Sequence, residues 1–234
     1  MTELIEIETS LSGIEARPPL PIAVLVSGMG RGSNLAALLE ACASGQISGR
    51  IALVIGTRRD APALERAQNA GIAVSVVSPR KYEADEAGYA AALLRVLQKQ
   101  EIGLICLAGY MRRLPPPVLA AYRGRVMNIH PALLPLFGGQ GMYGENVHRA
   151  VIESGMKVSG CTVHFVEEEY DDGPIIAQRA APVLDADTPQ TLAARVLEQE
   201  HRAYAESVQW FAEGRLKIVG RRVLLAGNEP IQGA

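Results

Sequence analysis

Little in this sequence invites a disulfide, a membrane or a nucleic acid. The 234 residues include only three cysteines, Cys42, Cys106 and Cys161, far apart and outside any Cys-x-x-Cys or Cys/His cluster. An odd, dispersed set gives neither a disulfide framework nor a zinc site, so no metal is expected and all three read as buried small apolar residues. No apolar run reaches the length that crosses a bilayer. The opening segment is acidic where a secretion signal starts with positive charge and a hydrophobic stretch, which predicts a cytoplasmic protein. The formal net charge is only -2, with both signs mixed along the chain. Such a surface offers no basic stripe to displace counterions from a phosphate backbone, so nucleic-acid and membrane partners are not expected. Small-molecule chemistry remains.

What is there is enough apolar sequence, 48% of residues, for one full core. Residues 1–20 end in Pro18, Pro19 and Pro21 and are expected to form a flexible arm, with one catalytic domain over 21–225 and a polar tail over 226–234. Short β-branched runs at 22–28, 51–57, 72–78 and 103–109 read as buried strands. Between them lie amphipathic segments at about 35–45, 61–71 and 83–100. Strands alternating with helices predict an α/β fold with a single doubly wound, mostly parallel sheet. From 126 the pattern changes. A strand runs into the proline-rich loop at 131–135, a glycine-rich loop at 138–146 precedes a short helix, and two strands flank an acidic turn, an antiparallel C-terminal extension. A long helix over 188–214 opens on Thr188 as N-cap with Pro189 in the first turn, and a hairpin turning at Gly220 and Arg221 closes the pattern.

Three clusters carry chemistry. The loop Gly28-Met29-Gly30-Arg31-Gly32-Ser33-Asn34 joins a strand's C-terminal end to a helix N-terminus, where free N–H groups and the helix dipole favour an anion. It lacks the Gly-Lys-Ser/Thr of a nucleotide-hydrolase P-loop and matches a dinucleotide fingerprint poorly, so a phosphate monoester suits it, the alternative being a plain turn and helix start. Asn128 and His130 share one face of a strand by its period of two, and Pro131 stops the ladder at the sheet's carboxyl edge, where α/β ligands bind. Asp171-Asp172-Gly173-Pro174 follows Glu167, Glu168 and Glu169, which on local grounds is ordinary turn chemistry on a solvated surface. His164 and Thr162 lie on one face of the strand before it.

Taken in order, SGMGRGSNL, LAGYMRRL, Asn128-Ile129-His130-Pro131-Ala132-Leu133-Leu134-Pro135, HFVEEEYDDGPIIAQ and QEHRAYAESVQWF resemble the folate-dependent formyltransferases, in the branch acting on glycinamide ribonucleotide. The resemblance covers roughly 22–220 and implies a Rossmann-like formyltransferase fold. It implies formyl transfer from 10-formyltetrahydrofolate, as cosubstrate, to the amine of glycinamide ribonucleotide, without a metal. Asn128, His130 and Asp171 would be catalytic, with His164 supporting them. Gly32, Ser33 and Asn34 would take the substrate phosphate and Glu200 its ribose. The pterin would lie against Met111, Arg112, Arg113 and Leu114, with Asn128, and against Glu167, Glu168, Glu169, Tyr170 and Asp171. Asp85 stands where many members carry an arginine for the folate tail. A monomer or homodimer is expected. A sugar-nucleotide amine as acceptor, or a non-catalytic ligand-binding module, are the alternatives.

Overall fold

The computed structural model describes residues 18–28 and 30–227; the expected arm, apart from Pro18 to Leu20, Met29 of the glycine loop and most of the expected tail lie outside the described residues. A nine-stranded sheet runs in the order β3-β2-β1-β4-β5-β6-β7-β9-β8. Its first half comprises β1 (Leu20–Val26), β2 (Gly49–Gly56), β3 (Ala73–Val76), β4 (Leu104–Leu107) and β5 (Val126–His130), all mutually parallel. The crossovers are helices α1 (Ser33–Ala43), α2 (Pro62–Asn69), α3 (Glu86–Lys99) and α4 (Pro116–Ala121), followed by α5 (Glu145–Glu153) after β5.

Strand periodicity divides the core. In β1, Ile22, Val24 and Val26 pack into one apolar cluster with α1, α2 and the long helix α6 (Pro189–Ala212), whereas Ala23 and Leu25 pack into the other with α3 and α4. Both faces are thereby covered, as an all-parallel half requires. Cys106 and Cys161 lie in the core, and Cys42 is half-buried rather than buried. Among the described residues no helix is long and apolar enough to cross a membrane.

The second half reverses direction. Strand β6 (Val158–Phe165) runs antiparallel to β5, and β7 (Ile175–Pro182) antiparallel to β6. The closing hairpin, β8 (Leu216–Val219) and β9 (Arg222–Leu225), joins through β9, which lies parallel to β7 with Ile175 opposite Arg222. Helix α6 is started by a capping box in which the Thr188 hydroxyl accepts from Thr191 N–H and the Thr191 hydroxyl accepts from Thr188 N–H. The sheet order reverses between β1 and β4, so the loops after β1, β4 and β5 meet at the switch point outside the carboxyl ends.

Candidate active site

Strand β5 delivers Asn128 and His130 side by side, and β6 delivers their partners, Asn128 facing His164 and His130 facing Thr162 across the antiparallel pair. Beyond Pro131 the chain is pinned by Thr162, whose hydroxyl donates to the Ala132 carbonyl at 2.6 Å and accepts from Leu134 N–H at 3.0 Å. Asp171 arrives from the turn between β6 and β7 with φ of 54°, a left-handed backbone that costs a non-glycine residue energy and is held by its surroundings. At Gly173 a side chain would run into the Phe165 carbonyl, so the turn lies hard against the end of β6.

The three expected catalytic side chains converge. Asp171 Oδ2 accepts from Gly139 N–H at 2.9 Å and lies 3.5 Å from His130 Nδ1. Its Oδ1 lies 3.5 Å from Asn128 Nδ2 and 3.6 Å from His164 Nε2. Carbonyls only accept, which fixes two tautomers. His164 donates from Nδ1 to the Phe165 carbonyl at 2.8 Å, leaving Nε2 to accept from Asn128 Nδ2 at 3.1 Å. His130 donates from Nε2 to the Phe137 carbonyl at 2.8 Å. Burial pulls the His130 imidazole below its ordinary pKa, against the opposing pull of Asp171 and the Phe137 carbonyl. Burial alone would raise Asp171, but the His164 imidazole 3.6 Å away, the charge of His130 and the Gly139 N–H together hold its carboxyl below the usual range.

These groups open into a cavity of about 640 Å³ reaching from Asn128 and His130 to Asn34, Leu197 and Glu200. Asn34 Nδ2 donates to Glu200 Oε2 at 2.7 Å, while Asn34 Oδ1 has no partner among the described residues. Burial raises the Glu200 pKa, partly countered by that hydrogen bond. Helix α1 starts on Gly32 with φ of 70° and no side-chain cap, leaving its first N–H groups uncapped by a side chain. A side chain at Gly32 would press on Ala63. Gly32 and Ser33 flank this end, and Asn34 alone of the three lines the cavity.

A smaller recess of about 60 Å³ adjoins Asn128 and His164 and is lined by Arg112, Arg113, Leu114 and the 167–171 turn. Arg113 pairs with Glu169 at 2.5 Å and lies 4.7 Å above the Tyr170 ring. Met111 lines the larger cavity instead. Asp85, at the expected arginine position, caps α3 through Gly88 N–H at 2.8 Å. Sequence reasoning missed His148 and underrated the glycine loop. Gly139 to Gly144 line the large cavity with His148, which is 4% exposed and whose Nδ1 has no partner among the described residues. His148 was hidden in an amphipathic helix; its signal was a polar group among the buried residues of α5. Among the described residues no group of three or more metal-ligating side chains is placed to hold an ion.

A family model described as formyl transferase matches residues 20–208. The chloroplastic phosphoribosylglycinamide formyltransferase of Arabidopsis thaliana is 44% identical over 196 residues, 84% of this chain and 66% of that protein. The chain thus spans just under two thirds of that plant relative's length, and 62% of the one from Vigna unguiculata. The phosphoribosylglycinamide formyltransferase of Escherichia coli K12 is 39% identical over 213 residues, 91% of this chain and 97% of that one. The solved glycinamide ribonucleotide transformylase 1 of Symbiobacterium toebii superposes with a TM-score of 0.83 at 47% identity, covering 89% of this chain and 95% of that one. With the match running from β1 through β7 and the same fold in a solved relative, the chain belongs to the formyl transferase family.

Proposed function

We propose that this chain is a cytoplasmic phosphoribosylglycinamide formyltransferase, moving the formyl group of 10-formyltetrahydrofolate onto the amine of glycinamide ribonucleotide in purine biosynthesis. The observation that carries the reading is the convergence of Asn128, His130 and Asp171 between two recesses, one reaching α1 and Glu200 and the other bounded by Arg112, Arg113 and the acidic turn. The relatives named above are called phosphoribosylglycinamide formyltransferase or glycinamide ribonucleotide transformylase, which supports the acceptor and the group transferred.

In the reaction the amine nitrogen bonds to the formyl carbon, negative charge develops on the formyl oxygen, and the carbon's bond to the folate nitrogen then breaks. A catalyst must stabilise the oxyanion and move a proton from the attacking to the leaving nitrogen. Asn128 gives one N–H to His164, and its second, now facing Asp171 Oδ1 at 3.5 Å, would exchange that long contact for the oxyanion. His130 now gives its Nε2–H to the Phe137 carbonyl and would exchange that acceptor for the oxyanion. Asp171 favours the charged imidazole as the oxyanion forms and relays the amine proton through water. The uncapped N-terminus of α1, with Ser33 and Asn34, would take the phosphate, and Glu200 the ribose hydroxyls. The pterin would lie in the recess by Leu114 and the 167–171 turn.

The test is formyl transfer, followed by the absorbance change as 10-formyltetrahydrofolate becomes tetrahydrofolate, against a panel of amines. Turnover that requires glycinamide ribonucleotide is the expected result. Turnover with sugar-nucleotide amines alone, or with none of the amines, refutes it.

A further inference from the structure

The turn that carries Asp171 is gripped from outside by the closing hairpin. Arg221, at the tip between β8 and β9, donates through Nη2 to Asp172 Oδ1 at 2.8 Å and to the Asp172 backbone carbonyl at 2.7 Å, and through Nη1 to Asp172 Oδ2 at 3.2 Å. The grip is therefore bidentate on the carboxylate and adds a bond to the backbone of the residue next to Asp171. Next to Arg221, Arg222 opposes Ile175 in the sheet, so the hairpin tip is registered to the start of β7 as well as to the turn. Glu167, on the other arm of the same turn, adds its charge to that guanidinium. On the opposite side the turn is backed by β6, where the Gly173 backbone leaves no room for a side chain.

We propose that Arg221 is a positioning residue, acting through Asp172 to hold Asp171 in its left-handed conformation at His130 and Asn128, so that the C-terminal hairpin is part of the catalytic apparatus. Asp171 has a positive φ that is uncommon outside glycine, and its carboxylate approaches His130, Asn128 and His164 at the edge of bonding distance. Small displacements there are kinetically expensive. The clamp is solvent-exposed, with the two side chains 71% and 55% accessible, so it adds little to global stability. A residue that matters little for melting and much for turnover is the distinguishing signature.

The inference rests on the proposed role of Asp171, and the experiment separates the two. Arg221→Ala and Asp172→Ala are each expected to lower kcat on the order of 10-fold. KM for the ribonucleotide should stay unchanged, because its phosphate end lies at α1, and the melting temperature should hardly move. Arg221→Lys, which keeps the charge but not the fork, should recover part of the loss. The double variant should be no worse than Arg221→Ala, which already removes every bond of the clamp. Asp172→Asn, a milder change that keeps one side-chain oxygen for the guanidinium, guards against misfolding of the alanine variants and should lie between them and the parent. Wild-type kcat in folded Arg221→Ala, or fully additive losses in the double variant, overturns the proposal. If Asp171→Asn is itself fully active, the site reading fails instead.

Discussion

Replacing Asp171 with asparagine removes one negative charge and almost no volume. In the variant the amide oxygen can still accept from Gly139 N–H, now 2.9 Å from Oδ2, and the amide nitrogen would then face His164 Nε2, an acceptor in the tautomer set by Phe165. The fold should survive. What is lost is the carboxylate 3.5 Å from His130 Nδ1. Two unit charges about 4 Å apart attract by about 4 kcal/mol at an effective dielectric of about 20, which converts to roughly 10³-fold in rate if the imidazolium is required in the transition state. That agrees with the roughly 10²–10⁴-fold worth of a positioned acid–base group. Because the Asp171 carboxyl is held below its usual range, it stays charged through the neutral region and the deficit should be constant there. Steady-state and single-turnover formyl transfer, with folding checked by circular dichroism, measure it. Turnover within threefold of the parent would refute the electrostatic reasoning, as would a deficit expressed wholly in KM.

Three other outcomes follow from the same geometry. Glu200→Gln should raise the melting temperature at neutral pH, because a carboxyl whose folded pKa is raised stabilises only below its unfolded value and loses that contribution as pH rises through the folded one. The same change should weaken the ribonucleotide on the order of 10-fold, and a lower melting temperature at neutral pH would contradict it. His130 and His148 both have depressed pKa values, so the unfolded chain binds more protons and stability, complete above the ordinary histidine pKa, should erode as pH falls below it. A melting temperature flat from neutral to mildly acidic pH would count against that. Ser33→Ala should weaken the ribonucleotide by roughly 3–10-fold and leave the folate alone, and equal losses by calorimetry would argue against a phosphate there.

The parallel half of the fold was legible because its strands are buried on both faces and read as unbroken apolar runs between turn residues. The errors lie where local signals are weak or tertiary contacts extend them. Strand β1 begins at Leu20, inside the expected arm, because Leu20 N–H reaches the Ser48 carbonyl. Helix α4 was unseen because a six-residue helix opening in Pro115-Pro116-Pro117 has no periodicity to read. The third helix, expected from about 83, starts only at Glu86 with Asp85 as its cap, and a 3-10 turn at Pro79–Tyr82 precedes it. Insertion of β9 between β7 and β8 depends on one parallel register far along the chain, which no local pattern encodes.

For the candidate site, the sequence named side chains that the fold brings together, but not the states of their atoms. The period of two put Asn128 and His130 together, yet His164 becomes their neighbour only because β6 runs antiparallel. Local reasoning saw Asp171 and Asp172 as one surface turn. In three dimensions Asp171 turns inward to His130 and Asp172 outward to Arg221, a division made by one left-handed residue. The donor accounting has a chemical consequence as well. In this structure both nitrogens of His130 face acceptors, while burial disfavours the second proton that would satisfy them. The imidazole is thus held short of its charged form beside a carboxylate that would welcome it. On the proposed reading, negative charge appearing on a formyl oxygen in the same cavity would supply the missing counterpart at the moment it is needed, so the stabilisation would fall on the transition state and not on the resting state.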